Sequence, residues 1–166
     1  TSPMPRVIVN STPLILLAGI CELGLLAKLY GKVVVPQAVF DEVTAKADAA
    51  SYALLACPDW IKVERAPEIP EHYRHLISAK LHEGELDVMA LALASGADVV
   101  VLDDNAARRT AKYFGLAVTG TLGILLRAKE RSLISEVGPL VGSLRTNGFR
   151  IDDRVVSFVL ELAHER

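Results

Sequence analysis

Five short apolar runs rich in β-branched residues, separated by longer helical patterns, constrain this chain more than any other feature. They are Arg6–Asn10, Lys32–Val35, Trp60–Glu64, Asp98–Leu102 and Leu116–Thr119. Continuous apolar runs with helices between them predict parallel strands buried on both faces. The helical patterns are Pro13–Lys28, Pro36–Ala47, Ala49–Ala56, Tyr73–Leu81, Glu83–Ser95, Ala106–Phe114 and Leu122–Lys129, then Ile134–Arg145 and Asp152–Ala163. Pro13 and Pro36 sit at helix starts, where a missing N–H costs little. Gly96 and Gly115 stand where a left-handed residue closes a helix. The expected fold class is α/β, a doubly wound three-layer α/β/α sandwich. At 166 residues one domain is expected, spanning 4–166, with helices over 134–163 packed on it. Thr1, Ser2 and Pro3 are set aside from this argument.

Several function classes are excluded early. The longest apolar stretch, Leu14–Leu29, is interrupted by Glu22 and Lys28, so no membrane span is expected. Only Cys21 and Cys57 are present, without a CxxC pair, which excludes a disulfide scaffold. With no signal-peptide pattern at the start, a cytoplasmic location is expected. No GxGxxG, Walker or GxSxG pattern occurs. His72, His75 and His82 lack zinc-site spacing and read as a solvated face.

The net charge of −2 argues against bulk electrostatic capture of nucleic acid. The charge is nevertheless uneven. Residues 37–103 carry twelve acids and five bases, whereas residues 105–131 carry one acid and six bases. Arg108, Arg109, Lys112 and Arg127 in the second stretch read either as solvated helix faces or as contacts for an anionic partner.

In a doubly wound sheet, ligands bind beyond the carboxyl ends of the strands where the strand order reverses. The first run ends at Asn10, followed by Ser11, Thr12 and Pro13, and the fourth is followed by Asp103 and Asp104. Capping a helix needs one acid, so the adjacent pair asks for a further role. Glu42 and Asp87 stand on apolar helix patterns, where an ionised acid is costly unless paired or bound to a metal. Asn10, Glu42, Asp87, Asp103 and Asp104 thus form a set of oxygen donors from four segments. Such a set suits a hard cation, Mg²⁺ or Mn²⁺. Gly120-Thr-Leu-Gly123 reads either as a tight turn or as donors near a phosphate.

Five segments resemble the PIN-domain proteins, and most nearly a VapC-like subfamily of prokaryotic toxin ribonucleases. They are Val7-Ile-Val-Asn-Ser-Thr-Pro-Leu-Ile15, Val35-Pro-Gln-Ala-Val-Phe-Asp-Glu42, Gly84-Glu-Leu-Asp87, Leu102-Asp-Asp-Asn-Ala-Ala-Arg108 and Gly120-Thr-Leu-Gly-Ile-Leu-Leu-Arg-Ala-Lys129. The resemblance implies a five-stranded parallel sheet of order 3-2-1-4-5 and Mg²⁺- or Mn²⁺-dependent cleavage of RNA. It implies a small antitoxin partner and a homodimer. It maps the family's acidic positions to Asn10, Glu42, Asp87 and the Asp103/Asp104 pair, and its small hydroxyl residue to Ser11 or Thr12. One departure stands out: Asn10 occupies a position that usually holds Asp. The alternative to an active nuclease is therefore a weakened PIN-like module that binds RNA or a protein. A receiver-like or phosphatase-like domain ranks below both, because the first strand offers no aspartate.

Overall fold

The computed structural model describes residues 4–77 and 80–166. All five expected strands form, as β1 (Val7–Val9), β2 (Val33–Pro36), β3 (Ile61–Glu64), β4 (Val99–Val101) and β5 (Val118–Thr119). They make one parallel sheet of order β3-β2-β1-β4-β5. β1 is central, pairing Ile8 with Val34 on one side and with Val100 on the other. Its residues are wholly buried, and Val33, Val35, Val100 and Val101 are too. Branched side chains suit such a two-sided core. The expected α/β/α fold is therefore observed, with helices on both faces.

The helices are α1 (Ser11–Gly19), α2 (Leu25–Tyr30), α3 (Gln37–Thr44), α4 (Ala49–Leu55), α5 (Glu71–Arg74), α6 (Glu83–Ser95), α7 (Asn105–Tyr113), α8 (Thr121–Glu130), α9 (Gly138–Thr146) and α10 (Asp153–Leu162). Two expectations are corrected. The continuous helix over 13–28 is instead two helices. Cys21 adopts a left-handed conformation with φ of 60°. Its N–H bonds to the Ala18 carbonyl and that of Glu22 to the Leu17 carbonyl, the paired closure that ends a helix. The pattern over 73–81 also shifts. α5 spans four residues and buries none of them, so packing does not extend it. Residues 78–79 of that pattern lie outside the described residues.

One connected apolar cluster joins the sheet to Leu14 and Leu17 of α1, Val88 and Met89 of α6, and Ile124 and Leu125 of α8. Val141, Leu144 and Val159 bring α9 and α10 into the same cluster. The C-terminus is fastened by Glu165. Its carboxylate accepts the Val137 and Gly138 N–H groups at 2.7 and 2.8 Å and pairs with Lys129 at 2.9 Å. An anion at the start of α9 also meets the positive end of that helix. Among the described residues, no helix is long and apolar enough to cross a membrane.

Candidate metal centre

The site grows from the carboxyl end of β1. Asn10 continues the ladder, its N–H donating to the Val101 carbonyl at 3.1 Å. It is also the residue that caps α1. A capping asparagine ordinarily gives its side-chain oxygen to the N–H of the second or third helical residue. Here the helix opens at Ser11, two residues earlier than the pattern predicted, so Pro13 falls at the third position. Proline has no N–H to offer. Asn10 is 3 % exposed, and its Oδ1 is buried without a hydrogen-bond partner among the described residues. Such an unsatisfied oxygen costs about 1–3 kcal/mol.

That oxygen faces Glu42 across Gly84. A Cβ on Gly84 would lie 3.6 Å from Asn10 Oδ1, 3.5 Å from Glu42 Oε1 and 3.2 Å from Val39 Cγ2. The bare glycine thus leaves a gap where two oxygens converge. Glu42 is placed there by α3, which is anchored through buried Val39 and Val43. It lines a cleft of about 600 Å³ with Gln37, Asp41, Arg65, Glu83 and Asp87. Asp41 lines the same cleft and accepts a hydrogen bond from Gln37 at 2.9 Å.

α6 lines this cleft with Glu83 and Asp87 and buries Glu85 between them in sequence. Asp87 lines it, and burial and the neighbouring Glu83 charge raise its carboxyl above the usual range. Glu85 lies deeper, 4 % exposed, and accepts the His82 N–H at 2.9 Å. Burial raises its carboxyl most. The His82 N–H works in the opposite direction, while the charges of Asp104 and Glu42 add to the rise. Glu85 is thus the α6 acid that shares its field with both Glu42 and Asp104. The sequence reading passed over it. Its signal was present, since the residues three and four positions on, Val88 and Met89, are fully buried.

The aspartate pair divides. Asp103 is turned toward α8, accepting the Thr121 N–H at 2.8 Å and its hydroxyl at 2.7 Å. Burial raises its carboxyl, opposed by those two bonds and by the Arg108 charge. Asp104 caps α7 through Oδ2, accepting the Ala107 N–H at 3.0 Å. Its other oxygen makes no bond among the described residues, and its charge reaches Glu85. Ser11 is buried in the first turn of α1 and Thr12 is exposed beside it.

The cations separate as well. Arg108 donates to the Leu102 carbonyl at 3.0 Å and sits beside Asp103. Arg109 and Lys112 are exposed on α7. Arg127 lines a different cleft, with Tyr30 and Asp98, at the amino ends of the strands.

A hard divalent cation fits this donor set. All the donors are oxygens, one of them is buried and unpartnered, and a carboxylate faces it over a gap. Among the described residues no three His, Cys, Asp or Glu side chains gather closely enough to hold an ion by themselves. Mg²⁺ is commonly held by one or two carboxylates with several waters retained.

Glu85 supplies a pH test. A carboxyl raised in the folded state favours folding below the unfolded value and loses that contribution as pH rises through the folded value. Glu85→Gln keeps an oxygen for the His82 N–H and removes the charge. Its metal-free melting temperature should exceed that of the native protein at pH 7, and the advantage should vanish below about pH 4. Equal melting temperatures at both pH values would show that Glu85 carries no such strain.

Oxygen donors at the switch point of a parallel α/β sheet define a class of protein that works on a ligand held at the strand ends. A family model described as a PIN domain matches residues 6–165, and the chain belongs to that family. PIN domains are typically nucleases that bind nucleic acid and generally use divalent metals. No curated protein is similar enough to the chain to count as a match.

Proposed function

We propose that this protein is a Mg²⁺- or Mn²⁺-dependent endoribonuclease of the VapC-like kind. The observation that carries the reading is the unpartnered Asn10 Oδ1 facing Glu42 over Gly84. A structural asparagine would have its oxygen satisfied, whereas a ligand-binding one keeps it free. Glu42, Asp104 and Glu85 supply negative charge for the ion, with Asp87 lining the cleft and Asp103 bonded to Thr121. Asn10 contributes a neutral oxygen. Ser11 and Thr12 stand where a hydroxyl can meet the substrate. The ion supplies activation of water and neutralisation of phosphate charge when bound. Arg108 leads the candidates for phosphate contact, with Arg109 and Lys112 further along α7. The toxin role, a small antitoxin and a homodimer rest on the resemblance of the five motifs.

The second reading, a silent module that binds RNA or protein, is favoured by Asn10 alone, since a carboxamide brings no charge. Cleavage of a structured RNA mixture with Mn²⁺, with Mg²⁺ and with EDTA separates the two. The nuclease should cut with either ion and stop in EDTA. Intact RNA under all three conditions, with retained RNA binding, would favour the silent module.

A further inference from the structure

A second cleft opens on the far side of Asp103, between the start of α7, the β5–α8 turn and the α9–α10 connection. Its volume is about 520 Å³, within the roughly 300–1,000 Å³ of small-ligand sites. Arg108 from α7 and Arg150 from the α9–α10 connection line it, and Phe149, Ile151 and Val155 give it an apolar side. Neither arginine lies within ion-pair distance of a carboxylate among the described residues. The cleft's own acids are engaged elsewhere. Asp103 is bonded to Thr121, and Asp152 caps α10 by accepting the Arg154 N–H at 2.7 Å. The floor has no room to spare. A Cβ on Gly120 would lie 2.7 Å from both Arg108 Nη1 and Asp103 Oδ1. Two guanidinium groups, Arg108 beside Asp103 and Arg150 on the exposed α9–α10 connection, together with a half-buried aromatic ring match a nucleotide, which presents a phosphate and a flat base. A protein side chain presents both together less readily.

We propose that this cleft is a subsite for one unpaired nucleotide of an RNA strand. The base packs against Phe149, and the adjoining phosphates meet Arg108 and Arg150. The subsite adjoins the acidic centre through the Asp103–Asp104 step, so a strand seated in it continues past Asp104. This assignment rests on the nuclease reading for the identity of the strand, but its test does not depend on cleavage.

Anisotropy of a labelled single-stranded RNA 12-mer, measured with the full chain in EDTA, reads binding alone. Phe149→Leu should weaken binding about tenfold, the scale of one lost base–aromatic stack. Arg150→Ala should lower the salt dependence by about 0.7 in log–log slope. Arg127→Ala, in the cleft at the opposite end of the sheet, should bind as the native protein does. Because Phe149 also packs on the core, Phe149→Trp gives a second reading. The added indole should be quenched at saturating RNA, beyond any change from Trp60. Native affinity in both Phe149→Leu and Arg150→Ala would overturn the subsite, as would an unquenched indole in Phe149→Trp. Loss of binding in those variants, with no cleavage under any metal, would sink the nuclease reading and leave the subsite standing.

Discussion

Glu42→Gln is expected to lower metal-dependent RNA cleavage by about a hundredfold or more, with little change in metal-free stability. The two halves of that expectation come from different observations. Glu42 is exposed and its carboxylate carries no hydrogen bond among the described residues, so an amide of equal size costs the fold little. The same carboxylate faces the only oxygen donor that is buried and unsatisfied among the described residues. Removing one anionic contact to a catalytic ion at about 3 kcal/mol corresponds to about a hundredfold in rate. Asp41→Asn is the matched control. It is one residue away on the rim of the same cleft, held by Gln37, and should change the rate by less than about threefold. The assay is initial cleavage rate at fixed Mn²⁺ and pH, beside a thermal melt in EDTA. Full activity in Glu42→Gln would remove this carboxylate from the site. Comparable losses in both variants would indicate that cleft charge matters and that position does not.

The strands were legible because each is a compact run that packs on two sides, and such runs have few other solutions. Their order came from the motifs' family resemblance, since runs of Val and Ile carry no label for their neighbours. The break between α1 and α2 was hidden. Apolar spacing continues through it, and the left-handed position is filled by Cys21 where a glycine would have marked it. In the candidate site, Asn10 was legible as the polar end of the first apolar run, and Glu42 as an acid on an apolar helix pattern. Which of Asp103 and Asp104 faces the acids was not. That depends on Thr121, eighteen residues on, which captures Asp103 and leaves Asp104 to α7. Glu85 was masked by a second duty, because its third helical position and its bond to the His82 N–H read as ordinary capping. Arg127 was grouped with the other bases by charge alone. It is the seventh residue of α8, roughly 10 Å along the helix from the strand ends.

Asn10→Asp should tighten Mn²⁺ binding by about tenfold or more, while lowering the melting temperature in EDTA. Both effects follow from one added charge. In the native protein the side-chain oxygen is neutral, and its missing partner already costs the fold a little. A carboxylate there would be buried beside Glu42 and within the field that already raises Glu85. Without an ion that charge is buried beside other acids, so the aspartate resists ionisation and the fold loses stability. With an ion bound, the repulsion becomes attraction, and the stabilisation by saturating Mn²⁺ should exceed that of the native protein. The rate of cleavage should rise with occupancy at limiting metal. Calorimetry with Mn²⁺ and melts with and without the ion read the two signs separately. A variant that is less stable and binds Mn²⁺ no better would mean that Asn10 Oδ1 faces something other than a cation. In the native protein, measurable Mn²⁺ affinity would show that a neutral amide suffices, and that the asparagine tunes this site without closing it.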